Sequence, residues 1–247
     1  MTLIHSFEKE GNVLFRYRGQ IPVLLFVLAI PAVLLHDYPD YHSGTYRFVN
    51  WLSAILSLIG FLIRAYTIGT TPRGTSGRNT ETQVAEQLNR KGIYSIVRHP
   101  LYLGNYLMWI GIVLFTKNYW FVAVVSLLYW IYYERIMFAE ERFLEKKFGN
   151  AFVDWSLKVP AFIPAFSGFV SSGIPFSIRS VLRREYSGVL ATVIGYCFVE
   201  LLIGWRLWKT IHIGKTFLVV LIATTIITIL LRFLKRSTKL LNEEGRS

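Results

Sequence analysis

The sequence predicts an all-α integral membrane protein of about six transmembrane helices, with both termini in the cytoplasm. Three observations support this. Apolar residues make up 53% of the 247 positions and charged residues only 17%, whereas soluble domains are closer to a quarter charged. The apolar residues run in long blocks rather than in amphipathic stripes, as bilayer spans require. The basic residues fall between the blocks in a pattern that gathers them on one face of a membrane.

The blocks, in order, are Gln20–Leu35, Tyr46–Thr70, Leu101–Thr116, Tyr119–Ala139, Ser187–Trp208 and Gly214–Leu234. A span needs about 20 apolar residues, so the first and third are short. Pro22 and Pro31 allow the first to kink. Only Lys117 and Asn118 join the third block to the fourth, which predicts an antiparallel helical hairpin. Lys9, Arg16 and Arg18 precede the first block, and Arg73, Arg78, Arg90, Lys91 and Arg98 precede the third. Arg142, Lys146, Lys147, Arg179, Arg183 and Arg184 follow the fourth, and Lys235, Arg236 and Lys239 follow the sixth. Positive charge marks the cytoplasmic side, so both ends belong there and the number of spans is even.

The connections are polar. "TETQVAEQLNRKG" predicts a short helix capped by Thr80 with Gln83 and ended by Gly92. "SIRSVLRREY" predicts a basic segment on the cytoplasmic surface. We read residues 1–247 as one membrane domain. It comprises N-terminal spans and a cytoplasmic loop to residue 90, a central region 91–164, and an interfacial segment with a C-terminal hairpin from 165 onward.

Composition also excludes. A formal net charge of +12 in a soluble chain would suggest nucleic acid. Distributed between apolar blocks, it suggests anionic lipid headgroups and an anionic substrate instead, and no nucleic acid. The single cysteine, Cys197, rules out an internal disulfide and any cysteine cluster for a metal, and no metal site is expected. The opening "MTLIHSFEKEGN" does not have the basic-then-apolar order of a cleavable signal.

The chemistry concentrates in "GIYSIVRHPLYLGN", Gly92 to Asn105. A charge, a titratable ring and a helix breaker follow one another where the chain enters the third block. The hairpin brings Arg98, His99 and Tyr102 to the membrane level of Glu140 and Glu141, at the far end of the fourth block. Polar groups at bilayer depth are costly and usually line a site. Singly, each has a bland role: a snorkelling Arg, a helix-end His, belt tyrosines, a solvated Glu pair. Grouped on a forced hairpin, they predict a binding site.

"GIYSIVRHPLYLGN" followed by "EERFLEKKFGNAF" resembles the isoprenylcysteine carboxyl methyltransferase and phospholipid methyltransferase superfamily across about Lys91–Pro164. The resemblance implies an S-adenosylmethionine-dependent methyltransferase that binds its cofactor from the cytosolic side and takes a lipid substrate from the membrane. It implies cofactor contacts from Tyr94, Arg98, His99, Pro100, Tyr102, Gly104, Glu140 and Glu141, with Arg98 and Glu141 as catalytic residues. Phe152 and Trp155 stand where the family places an aromatic residue. The cofactor's ammonium suits Glu140 or Glu141, and its carboxylate suits Arg98 or His99. Membrane sterol reductases, which use NADPH, share a similar stretch but carry Asp where this chain has Asn105.

Arg64, in "FLIRAYTIG", and Arg73, Arg78 and Asn79, in "RGTSGRNT", are candidate substrate-binding residues, because arginine with glycine-rich backbone suits phosphate. That loop makes the chain resemble the bacterial branch that methylates the 1-phosphate of lipid A. It would then be an O-methyltransferase of the bacterial inner membrane. The alternatives are an isoprenylcysteine-type carboxyl methyltransferase, a phospholipid N-methyltransferase, or an NADPH-dependent reductase.

Overall fold

The computed structural model describes residues 2–39, 41, 43–72, 83–211 and 213–246. Among them are eight α-helices: α1 (Leu3–Arg16), α2 (Leu24–Leu34), α3 (Gly44–Gly69), α4 (Pro100–Phe115), α5 (Tyr119–Phe148), α6 (Asn150–Ser156), α7 (Ile178–Trp208) and α8 (Lys215–Ser237). β-pairing among them is a single bridge between Gly92 and Val170.

Four helices, α3, α5, α7 and α8, are long and apolar enough to cross a membrane. The two short blocks become α2 and α4, of 11 and 16 residues. At 1.5 Å per residue they reach about 16 and 24 Å, less than the roughly 30 Å hydrocarbon core. The expected six spans are therefore four full-length helices and two short apolar ones. The causes are local. Pro100 has no N–H and can only begin α4. Pro31 lies inside α2, which stops just before the polar "HDYPD".

Two further expectations are corrected. Residues 83–91 form no helix; Thr80, the expected cap, lies outside the described residues. Ala85 is buried instead, and Leu88 packs against Phe152, Trp155 and Val159, so tertiary contact overrides helix propensity there. "SIRSVLRREY" is no separate surface segment. It forms the first turns of α7, and Arg184 and Glu185 within it are buried.

Helix α1 was not expected. Phe7 meets Phe138 edge-on at 5.8 Å, the Arg135 guanidinium sits over Phe7 at 3.4 Å, and Gly11 lies against the Arg135 carbonyl. Glu8 pairs with Lys146 and Glu10 with Arg135, which fixes α1 along the last turns of α5.

Small residues join α3 to α4. A Cβ on Gly60 would lie 2.5 Å from the Gly104 carbonyl oxygen, and one on Gly111 would lie 2.5 Å from that of Ser53. In lipid such positions let two backbones approach closely. The Ser57 hydroxyl donates to the Met108 carbonyl at 2.9 Å, and the Tyr196 hydroxyl of α7 donates to the Ser53 carbonyl at 2.7 Å. The C-terminal tail returns to the start of α7, where Glu243 bonds Ser177 and Arg246 donates to the Gly69 carbonyl at 3.1 Å. Both chain ends thus pack at the end of the bundle where α4 begins. At the other end Asn118 caps α5 through the Phe121 N–H at 3.0 Å, and Arg206 pairs with Asp37 at 2.9 Å.

Candidate active site

The start of α4 is held by a strap. Residues 160–170 run beside residues 92–99, and the N–H groups of Arg98 and His99 donate to the Pro160 and Ala161 carbonyls at 2.9 and 3.1 Å. The Ala165 N–H donates to the Ile96 carbonyl at 2.9 Å, and the Gly92 N–H to the Val170 carbonyl at 2.7 Å. Gly92 has φ +61°, a conformation that glycine adopts without steric cost. The strap leaves the backbone before Pro100 non-helical yet satisfied, so Arg98 and His99 have fixed directions.

The hairpin brings the two motifs into contact. Arg98 donates from Nε and Nη2 to the two oxygens of Glu141 at 2.9 and 3.3 Å. Its Nη1 donates to the Val159 carbonyl at 2.8 Å and to that of Ser156. His99 Nε2 meets Glu141 Oε1 at 2.9 Å, and its Nδ1 faces Glu140 Oε2 at 3.5 Å. The Tyr102 hydroxyl donates to Glu140 Oε1 at 2.7 Å. Burial disfavours the His99 imidazolium, but hydrogen bonds to Glu140 and Glu141 and their charges outweigh it, so the His99 pKa lies above its ordinary value.

Beneath this network is a cavity of about 490 Å³, within the range of small-molecule sites. Tyr94, Arg98, His99, Pro100, Tyr102 and Glu140 line it, so the cluster expected from the sequence is assembled. Gly104 faces α3, where a Cβ would meet Arg64 Cγ at 2.5 Å. Glu141 lies behind the wall, occupied by Arg98 and His99. Trp155 lines the cavity, with its Nε1–H donating to the Tyr94 carbonyl at 3.1 Å, while Phe152 packs edge-on against it. Arg64 also lines the cavity, but Glu185 holds it in a bidentate pair with two contacts of 2.7 Å. Arg73, Arg78 and Asn79 lie outside the described residues.

Arg18, Asn105, Tyr133, Arg184 and Glu185 are among the cavity residues that sequence reasoning missed. The adjacent "RE" just before an apolar block was a signal for the last two, since ionisable residues at bilayer depth mark sites. The donor set suits a zwitterionic cofactor with an aromatic base: a carboxylate at Glu140, guanidinium and imidazole groups, and aromatic rings at Tyr94 and Trp155. Among the described residues no three His, Cys, Asp or Glu side chains are grouped to hold a metal ion.

Comparison with known proteins agrees with this chemistry. The model of the phospholipid methyltransferase family matches residues 48–151. The cobalt-zinc-cadmium resistance protein CzcN of Cupriavidus metallidurans is 32% identical over 161 residues, 63% of this chain and 68% of that protein. The nickel-cobalt-cadmium resistance protein NccN of Alcaligenes xylosoxydans xylosoxydans is 30% identical over 122 residues, 49% of this chain and 56% of that one. The protein-S-isoprenylcysteine O-methyltransferase of Schizosaccharomyces pombe is 28% identical over 124 residues, 47% of this chain and 52% of that enzyme. The chain thus spans little more than half the length of the last two. No solved structure matches it. The family match covers most of α3 and all of α4 and α5, the last two of which build the His99 network, and with these relatives it shows that the chain belongs to the phospholipid and isoprenylcysteine methyltransferase superfamily.

Proposed function

We propose that the protein is an S-adenosylmethionine-dependent O-methyltransferase acting on an anionic lipid-borne acceptor. The single observation that carries this is the cavity under His99. It places a carboxylate, Glu140, among cationic and aromatic groups at the water-facing end of an apolar bundle. The concentration of Lys and Arg at that end supports a cytoplasmic position for it.

Each residue has a definite task in this reading. Glu140, oriented by Tyr102, takes the cofactor's ammonium. Arg184, which reaches the Tyr94 side of the cavity, takes its carboxylate. Arg98 and Glu141 hold each other, His99 and the strap, so they position the site rather than touch the cofactor. Trp155 and Tyr94 offer faces to the adenine. When bound, the sulfonium supplies an activated methyl group. A carboxylate or phosphate acceptor is already ionised at pH 7, so no general base is needed, and the enzyme's work is alignment and exclusion of water.

Isoprenylcysteine O-methyltransferases recur among the relatives, which supports a carboxylate acceptor. A lipid phosphate such as that of lipid A depended on Arg64, Arg73, Arg78 and Asn79, and Arg64 is already bound by Glu185. Calorimetry of the detergent-solubilised protein with S-adenosylmethionine tests the reading. Binding is expected, and Glu140→Ala should weaken it at least tenfold. An absence of binding to the wild-type protein would refute the proposal.

A further inference from the structure

The floor of the cavity holds a second polar group, to which the reading above gives no task. Arg64 of α3 donates from Nε and Nη2 to Glu185 of α7 at 2.7 Å each, and from Nη1 to Asn105 Oδ1 of α4 at 2.5 Å. With its Oδ1 taken by Arg64, Asn105 turns its amide N–H groups the other way. There the Tyr133 hydroxyl of α5 stands beside it, next to Tyr129. The Tyr129 hydroxyl donates to the Tyr102 carbonyl at 2.7 Å. Arg64, Asn105, Tyr133 and Glu185 all line the cavity.

Position and cost both point to a ligand. Asn105 lies three residues after Tyr102, so this floor is about 4.5 Å deeper along α4 than the Glu140 contact. Tyr133 packs on Tyr102 at 4.7 Å between ring centroids, which joins the two layers. An ion pair, an amide and a phenol at that depth are expensive to keep beside an open cavity unless something polar uses them. A lipid entering sideways would present its head at this level, facing the cofactor above.

We propose that Arg64, Asn105 and Tyr133 form the seat of the acceptor's reacting head, that Glu185 positions Arg64 within it, and that the head is a carboxylate rather than a phosphate monoester. This rests on the methyltransferase reading above. Glu185 already neutralises Arg64, so the seat presents directed N–H and O–H donors and little net charge. A carboxylate monoanion is satisfied by two or three such donors. A phosphate monoester carries about −1.5 to −2 at pH 7 and needs an uncompensated cation. One carboxylate oxygen rests on the seat while the other forms the new O–CH3 bond. The S–CH3 bond breaks, its electron pair stays on sulfur, and no proton is transferred. The products are a methyl ester and a neutral thioether.

The test uses the full chain in detergent, radiolabelled S-adenosylmethionine, and two probes of equal prenyl length, an S-prenylcysteine and a prenyl monophosphate. Wild type should methylate the prenylcysteine at least tenfold better. Tyr133→Phe should raise the KM for prenylcysteine at least fivefold while cofactor affinity, read by calorimetry, stays within twofold. Glu185→Gln leaves the Arg64 charge uncompensated and should shift the phosphate-to-carboxylate ratio at least tenfold toward phosphate, which a merely structural defect would not do. Wild-type preference for the phosphate, transfer to neither probe, or an unshifted ratio in a Glu185→Gln protein that still binds cofactor overturns the seat alone. Wild-type protein that binds no S-adenosylmethionine overturns the underlying reading and the seat with it.

Discussion

His99 and Lys117 bracket α4, and both are buried basic side chains, yet the structure treats them in opposite ways. His99 is 7% exposed and has a carboxylate at each ring nitrogen. Lys117 is 1% exposed and its ammonium has no hydrogen-bond partner among the described residues. It lies over the Phe115 ring at 4.0 Å and near the Tyr41 ring at 5.5 Å, on a backbone with φ +60°. Partners outweigh burial at His99, so its pKa is raised; burial dominates at Lys117, whose pKa falls to about 8. The His99 end is a network open to a cavity, whereas the Lys117 end is a sealed turn. One helix therefore shows what a site requires that a structural cap does not: polar groups that satisfy one another and still face a space.

The largest effect should follow from removing the centre of that network. Glu141→Ala leaves Arg98 and His99 facing each other without the shared carboxylate. Breaking this partly buried, hydrogen-bonded pair, with side chains 15% and 25% exposed, and stranding a nitrogen of buried His99 costs about 2–3 kcal/mol, so the thermal midpoint in detergent should fall and cofactor binding should disappear. Glu140→Ala strands the Tyr102 hydroxyl and one His99 nitrogen, so it should lower the midpoint less than Glu141→Ala while reducing cofactor affinity. Equal melting of the two variants would remove the distinction drawn between the residue behind the wall and the residue lining it.

The sequence made the His99 end legible and left the floor of the cavity hidden, for a physical reason. Arg98, His99 and Tyr102 are close in sequence, and a short turn forces them against Glu140 and Glu141, so local spacing carries the geometry. Arg64, Asn105, Tyr133 and Glu185 come from four helices. Their meeting depends on small residues at Gly60, Gly104 and Gly111, whose partners become known only when the helices pack. Helix α1 escaped notice because its Phe7, Gly11 and Phe15 face is amphipathic, not membrane-long. Lengths were readable, since the two blocks that were short in sequence are the two helices too short to span. The order of the polar loop at 83–91 was not, because its contacts with Phe152 and Trp155 are tertiary.

The next effect tests how tightly the two layers of the site are coupled. A Cβ on Gly104 would meet Arg64 Cγ at 2.5 Å and the Gly60 carbonyl oxygen at 2.8 Å. Gly104→Ala should cost about 1–3 kcal/mol by overpacking. Because Arg64 must move, acceptor turnover should fall more than cofactor affinity. Equal losses in both would show that the floor and the Glu140 layer move as one body.

The smallest effect concerns Lys117, and it differs in sign. Between pH 8 and 10.5 the unfolded chain keeps the Lys117 proton that the folded protein has released, so stability rises with pH across that window. Lys117→Met removes a charge that burial disfavours but also its ring contacts, so a net gain of about 1 kcal/mol at pH 7 is expected. That gain should shrink to nothing as pH approaches 10.5. His99 acts the other way: its contribution is complete below 6.5 and is lost as pH rises through its raised folded pKa. Thermal midpoints of wild type, Lys117→Met and His99→Gln from pH 6 to 10 separate the two. If Lys117→Met is destabilised at every pH, the ring contacts hold the ammonium more firmly than burial opposes it, and the Lys117 end is as well satisfied as the His99 end.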